Sequence, residues 1–377
     1  MATTDLTSAD YWDSDGIDIR FDPRRGIDAS GLGRFLVEER GIESAVAMAT
    51  SGSSGGFKFV VLPKAALLAS ARAVVEHCES SRDDVWLASL STVHVGGLGI
   101  HARAYVGGSR VAEMSSGRWR RDGSLLTDAV RRANATLTSV TPTHLHDLVD
   151  HGVEAPPSLR GVFLGGGRIE PELVIAARRL GWPIWSTYGM SEASSQIATS
   201  REESVDWLPI LSHWEVRLEQ EGRLAIRGEA LFSGYAEKED GRWHFRPGAD
   251  RDGWFVTGDR CEVDGERLRF LGRADDLVKI SGELVSVSDI AARVASEAGR
   301  AGIDAAVVAL PDSRREHELV LLVAGAGVAE GEALLERCNT RLRGIERLSR
   351  VVPVDRLPRT EIGKLDVAAL RRKAGDL

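Results

Sequence analysis

The sequence predicts an α/β protein, with a large N-terminal domain of parallel sheet flanked by helices, a β-rich subdomain, and a small α+β domain at the C-terminus. Three observations carry that expectation. Short apolar runs ending in turn residues alternate with helix-period stretches through the first half, the pattern of a parallel sheet crossed by helices. From about Val216 the period changes to two, around Glu221-Gly222 and Asp264-Gly265, as in antiparallel hairpins. Beyond residue 275 a helix, two apolar strands and a second helix follow.

The elements can be read in order. Leu67, Ala71, Val74, Val75 and Cys78 recur at helical spacing, and "DVWLASLS" (84–91) reads as a short buried strand. "TLTSVTPT" (136–143), "LRGVFLGGG" (159–167) and "PIWSTYG" (183–189) are strand-then-turn units, with "PELVIAARRLG" (171–181) a helix between the last two. The hairpins come next, in "WEVRLEQEGRLAIRG" and "RCEVDGERLRFLGR". "DIAARVASEAG", "AAVVAL", "ELVLLVAG" and "GEALLERCNTRLRG" build the tail. The boundary is expected at 273–276, giving domains 1–273 and 274–377.

Composition bounds the chemistry. A chain of 377 residues with 43% hydrophobic content supports two or three domains and a sizeable core. The 56 acidic residues against 48 basic ones, net −8, leave no electrostatic footprint for nucleic acid, so small-molecule partners are expected. Cys78, Cys261 and Cys338 are too widely spaced for a disulfide framework or a CxxC metal site. The N-terminus is acidic where a signal peptide would be basic, and no apolar run approaches the ~18 residues of a membrane span. A cytoplasmic protein is the expectation.

"ATSGSSGGFKFV" (49–60) raises the first functional question. Lys58 lies six residues after Gly52, as in the GxxxxGK[ST] phosphate loop, but Phe57 and Phe59 stand where that motif needs its second glycine and its hydroxyl. The glycines and serines still expose N–H groups and hydroxyls able to wrap an anion. Taken alone, the run also suits a flexible linker.

Five later motifs decide between these readings. "TSGSSGGFK" (50–58), "STYGMSE" (186–192), "RGEALFSGY" (227–235), "WFVTGD" (254–259), "GRADDLVKISGELVS" (272–286) and "LPRTEIGK" (357–364) resemble, in sequence and order, the signature motifs of the adenylate-forming superfamily of acyl-CoA synthetases, luciferases and adenylation domains. Within it, "LSTVHVGGLGIHARAYVGG" (90–108), "LGGGRIEPEL" (164–173) and "TYGMSEASSQIAT" (187–199) look most like the o-succinylbenzoate-CoA ligases of menaquinone biosynthesis. The resemblance spans about residues 46 to 370. The stretch before it is shorter than is usual in the family, which implies that part of the usual N-terminal subdomain is absent or reduced.

The resemblance implies an ATP-dependent ligase that forms an acyl-adenylate and then a coenzyme A thioester, with Mg2+ bound. Thr50, Ser51, Gly52, Ser53, Ser54, Gly55 and Lys58 would grip the β and γ phosphates. Glu192 would be the magnesium ligand. Tyr188, with Gly189 beside it, would face adenine opposite Gly165, Gly166 and Gly167. Asp259 would accept the ribose hydroxyls with Arg273 nearby, or Arg273 would form an interdomain salt bridge. Lys364 would be the adenylation lysine and Asp275 the hinge of a mobile C-terminal domain, whose rotation brings Gly282 and Glu283 toward the thiol. His94 would line the acyl pocket. A second carboxylate on the acid would be read by one of Arg103, Thr143, Ser194, Ser195 and Gln196, a choice left open. Two other readings stay open as well: a ligase for another aryl or acyl acid, and a noncatalytic nucleotide-binding relative.

Overall fold

The computed structural model describes residues 4–51, 57–114, 119–202, 205–359 and 365–375. Packing divides the chain into two units, one of residues 1–220, 224–257 and 262–270, the other of 221–223, 258–261 and 271–377.

The first unit holds the expected parallel sheet. Its strands are β4 (Val85–Ala88), β5 (Arg110–Glu113), β6 (Leu137–Val140), β7 (Gly161–Leu164), β8 (Ile184–Tyr188) and β9 (Ala198–Ser200), in the order β5-β4-β6-β7-β8-β9. All pairs are parallel except β8 with β9. Every residue of β4, β6 and β7 is buried, because both sheet faces are covered. On one face Leu126 and Val130 of α5 (Ser124–Ala133), Leu145 and Leu148 of α6 (Pro142–Asp150), and Val174 and Ala177 of α7 (Pro171–Arg179) share a core with Trp182. α4 (Val95–Gly107) packs on β4 and β6, and behind it Trp86 stacks on Phe163 at 5.4 Å.

A second sheet runs β1 (Ile17–Arg20), β2 (Ala45–Ser51), β3 (Phe57–Pro63), β13 (Gly234–Glu239), β14 (Arg242–Pro247). Its period-two alternation feeds two cores. Val46, Met48, Val60, Leu62 and Tyr235 meet Leu67 and Ala71 of α3 (Lys64–His77) and Leu98 and Ala102 of α4. Ala45, Ala47, Phe59, Val61 and Ala236 meet Leu32, Phe35 and Leu36, the first of these on a single turn, α2 (Leu32–Arg34). The residues ahead of the first motif thus supply a strand and the cover of one sheet face. They are tied down by Lys64, 3% exposed, whose ammonium donates to the carbonyls of Tyr11 (2.7 Å) and Ser14 (2.8 Å) and to Ser14 Oγ (2.8 Å). All three donors of a buried lysine are thereby satisfied, and Tyr11 itself sits on α1 (Ala9–Trp12).

The hairpin region forms a sheet ordered β10-β16-β15-β12-β11, from Leu208–Pro209, Arg267–Arg273, Phe255–Asp264, Arg223–Arg227 and Glu215–Leu218 respectively. Glu221 (φ 61°) and Gly222 (φ 73°) make the turn between β11 and β12.

In the second unit β17 (Leu277–Ile280) and β18 (Glu283–Ser286) pair across Ser281 and Gly282, both at positive φ (52° and 85°), the geometry of a two-residue hairpin loop. β19 (Asp304–Asp312) pairs antiparallel with β20 (Glu316–Ala324), and β21 (Leu348–Val354) lies parallel to β20. One face packs on α8 (Val287–Arg300) and α9 (Val328–Asn339) through Val294 and Leu334, the other on α10 (Val367–Gly375) through Leu370.

Candidate active site

In an open parallel sheet the ligand crevice lies beyond the carboxyl ends of the strands, at the point where strand order reverses. Here the chain steps from β4 outward to β5 and returns to β6 on the other side, so the reversal falls at β4 and β6. The predicted residues cluster on the loops that leave these strands. His94 ends the β4 loop, its carbonyl accepting the Gly97 and Leu98 N–H groups to start α4 (3.0 and 3.1 Å). Thr143 is the second residue of α6, after the N-cap Thr141. Gly165, Gly166 and Gly167 follow β7, and Tyr188 to Glu192 follow β8.

The glycines are there because backbone comes close. A Cβ on Gly165 would lie 2.3 Å from Thr187 Oγ1, and one on Gly189 only 1.6 Å from the Ser195 carbonyl oxygen, so no larger residue fits either place. Gly189 thus lets the strand end at Tyr188 touch the turn at Ser194 (φ 49°) and Ser195 (φ 109°), both in backbone conformations rare for side-chain-bearing residues. Tyr188 is 9% exposed and stacks on Phe270 at 5.5 Å, an aromatic partner that sequence reasoning missed.

That strained turn faces a buried cation. Arg103, on α4, is 2% exposed, and its guanidinium donates to Ser195 Oγ at 3.1 Å while lying 5.6 and 5.4 Å from the rings of Trp86 and Phe163. Burial lowers its pKa to about 10. It is not a helix-surface charge. Among the described residues no carboxylate pairs with Arg103, so its full charge is balanced by one hydroxyl and two ring faces. Ser194, 2% exposed, sits beside Ser195 in the chain, and its hydroxyl has no hydrogen-bond partner among the described residues.

The phosphate-loop residues Gly52, Ser53, Ser54 and Gly55 lie outside the described residues, as does Lys364. What frames that loop is described. Thr50 and Ser51 end β2, opposite Lys58 and Phe57 on β3, and Thr50 Oγ1 donates to the Lys58 carbonyl at 3.4 Å. Phe57 and Phe59 share the strand face opposite Lys58. Phe59 is buried among Phe21 and Trp243, so this departure from the GxxxxGK[ST] motif is a core side chain on the face away from Lys58.

On that Lys58 face stands a contact that the sequence did not announce. The Lys58 ammonium lies 3.8 Å from the centre of the Tyr235 ring, and the Tyr235 hydroxyl donates to Glu192 Oε1 at 2.7 Å. Strand pairing sets the geometry, since Tyr235 opposes Val60 and Glu237 opposes Lys58, which puts Lys58 and Tyr235 diagonally on one face. The Phe232 N–H donates to the Glu192 carbonyl at 3.0 Å and holds the backbone at the same place. Arg246, paired with Tyr235 across the hairpin, adds a second cation 4.5 Å from the ring. The available signal was the motif "RGEALFSGY", which ends on Tyr235.

In the second unit Arg273 reaches Asp259, 7% exposed, at 3.3 Å, and a Cβ on Gly258 would lie 2.8 Å from the Arg273 guanidinium. Asp275 falls in the single turn Ala274–Asp276 between β16 and β17. The Gly282 N–H donates to the Glu316 carboxylate at 2.8 Å, and Glu283, exposed, opens β18.

A buried cation with no carboxylate partner among the described residues, tight glycine turns, and a carboxylate bonded to the tyrosine over which a lysine lies together suit a substrate carrying several negative charges. Comparison with known proteins agrees. The family model described as AMP-binding enzyme matches residues 37–236, and that of the AMP-binding enzyme C-terminal domain matches residues 301–364. The chain belongs to the AMP-binding enzyme family. It is similar to a 2-succinylbenzoate–CoA ligase of Bacillus mycoides, 28% identical over 359 residues that span 90% of this chain and 72% of the relative. Among solved structures it is similar to the o-succinylbenzoate CoA synthetase of Bacillus subtilis in complex with its acyl-adenylate intermediate, with a TM-score of 0.75, 25% identity, and 86% and 68% of the two chains covered. The Bacillus subtilis enzyme in complex with ATP and magnesium ion matches in fold at a TM-score of 0.73 and 24% identity, over 86% and 69%.

Proposed function

We propose that the protein is an ATP-dependent, AMP-forming acid–CoA ligase whose acid is o-succinylbenzoate, the substrate of the menaquinone route. The substrate carboxylate attacks the α-phosphorus of ATP, and pyrophosphate leaves with the bond electrons. The thiolate of coenzyme A then attacks the acyl carbon, and AMP leaves. Both partners of the first step are anions, so the site must supply fixed positive charge and preorganised donors. Lys58 and the hydroxyl and glycine loop would hold the β and γ phosphates, Tyr188 the adenine, and Asp259 with Arg273 the ribose. Lys364 would bridge carboxylate and phosphate oxygens during adenylation, and Asp275 would be the hinge about which Lys364 gives way to Gly282 and Glu283 for the thiol step.

Magnesium fits Glu192. Its carboxylate is held through one oxygen by Tyr235, and no described residue donates to the other. Among the described residues no group of three or more His, Cys, Asp or Glu side chains is placed to hold a metal. That suits an ion that takes one protein carboxylate and completes its shell with phosphate and water oxygens. When bound it would neutralise phosphate charge.

The observation that carries the choice of acid is Arg103, buried with no carboxylate partner among the described residues. A second carboxylate on the substrate, received by Arg103 with the Ser194 hydroxyl, Thr143 and His94 in the surrounding wall, would supply the missing anion. Thioester formation across a panel of acids tests it. o-Succinylbenzoate should exceed 4-phenylbutyrate and benzoate at least about a hundredfold in kcat/KM, since the poorer acids leave buried polar groups unpaired. Equal turnover of all three would defeat this choice of acid.

A further inference from the structure

We propose that Tyr235 is a positioning residue that fixes the Glu192 carboxylate in the orientation needed to receive magnesium with ATP. The inference rests on the nucleotide-site reading above and adds a residue to it.

The reason lies in how Glu192 is held. It sits in the one-turn helix Ser191–Ala193, a segment too short to orient a long side chain by packing alone. The single hydrogen bond to its carboxylate among the described residues comes from the Tyr235 hydroxyl, at 2.7 Å. Tyr235 is itself immobile. It is 5% exposed, lies in the middle of a three-strand run with partners on both sides, and packs edge-on against Phe232 at 4.8 Å. A rigid donor on one carboxylate oxygen removes the side chain's rotational freedom and aims the second oxygen, which would otherwise have to be ordered when metal and nucleotide arrive. The same ring carries Lys58 at 3.8 Å, so one residue spaces the carboxylate from the phosphate-binding lysine.

Tyr235→Phe separates the two contacts, because it deletes the hydroxyl and keeps the ring under Lys58. ATP binding should be measured by calorimetry on the parent and on Tyr235→Phe and Glu192→Gln, each with EDTA and then with saturating magnesium chloride, with AMP as the metal-free control. In the parent, magnesium should tighten ATP binding. In Tyr235→Phe that tightening should shrink about tenfold, as expected for loss of the hydroxyl that orders the ligating group, while ATP binding in EDTA and AMP binding stay within about twofold. Glu192→Gln should lose the tightening altogether. If Glu192→Gln loses it and Tyr235→Phe tightens as the parent does, or more, the positioning role is wrong and the site stands. If Glu192→Gln keeps it, the metal reading of Glu192 falls, and Tyr235 with it. A general structural role for Tyr235 would weaken AMP and metal-free ATP binding equally, which would also overturn the proposal.

Discussion

Arg103→Met should leave the protein as stable as before, or more so, while it loses its diacid substrate. Burial takes the guanidinium from its ordinary value of 12.5 to about 10. At about 1.4 kcal/mol per pH unit, that places about 3 kcal/mol of unfavourable desolvation on the charged form at neutral pH. Methionine is unbranched, matches the stem in bulk and carries no charge. It also forfeits the Ser195 hydrogen bond and the contacts with Trp86 and Phe163, together worth about 1–2 kcal/mol. The net expectation is a ligand-free variant about 1–2 kcal/mol more stable, the direction known for buried charges replaced by apolar groups. Catalysis should move the other way. A carboxylate entering beside methionine would be buried without a cation, a loss of about 3 kcal/mol or more, so kcat/KM for o-succinylbenzoate should fall at least about a hundredfold. 4-Phenylbutyrate, with no second carboxylate, should change by less than about threefold. Urea unfolding monitored by tryptophan fluorescence and a coupled pyrophosphate assay on the two acids measure both sides. An equal fall on both acids would show that Arg103 supports the structure and does not read the substrate.

Three further outcomes can be measured, the first resting on the proposed role of Lys364 and the other two on the structure. Lys364→Ala should lose adenylate formation by about two orders of magnitude or more, about 3 kcal/mol for one transition-state charge contact, while conversion of supplied acyl-AMP to thioester survives. Equal loss of both half-reactions in a folded variant would end the alternating-state account. Gly189→Ala should destabilise the first unit by several kcal/mol or prevent its folding, since the added Cβ would lie 1.6 Å from the Ser195 carbonyl oxygen, and a melting temperature within about two degrees of the parent would contradict the close approach. Burial holds His101, His144 and His213 at about 4. It is the sole cause at His213 and the main one at the other two, where Arg20 depresses His101 further and Asp5 and Asp147 pull their neighbours the other way. Because the folded values lie below the unfolded 6.5, the unfolded chain binds more protons between pH 6.5 and 4. Stability should therefore be full above about pH 6.5 and fall as pH drops through that window, by at most about 1.4 kcal/mol per pH unit for each histidine. Denaturant midpoints that stay level from about pH 7.5 to 4.5 would refute it.

Much of the architecture was legible because it depends on short-range pattern. The apolar runs at 85–88 and 161–164 suit strands covered on both faces, as does the buried Leu-Thr-Ser-Val at 137–140, and the turn pairs at 221–222 and 264–265 fall at or within one residue of where the hairpins reverse. The residue types that gather after the strands were legible because they stand in fixed local order, as in "TSGSSGGFK" and "STYGMSE". Contacts between distant segments were not. That Arg103 is a buried cation and no surface charge depends on Trp86, Phe163 and Ser195, which reach it from three separate elements. Phe59 departs from the GxxxxGK[ST] motif, and strand alternation places it in the core on the face away from Lys58. Tyr235 and Glu192 stand 43 residues apart. The strands, the turns and the kinds of group at each loop could be read from the chain alone, because these follow from local sterics and period. Which hydroxyl meets which carboxylate, and which charge has no opposite among the described residues, came from the folded arrangement, because burial and long-range pairing belong to no single stretch of chain.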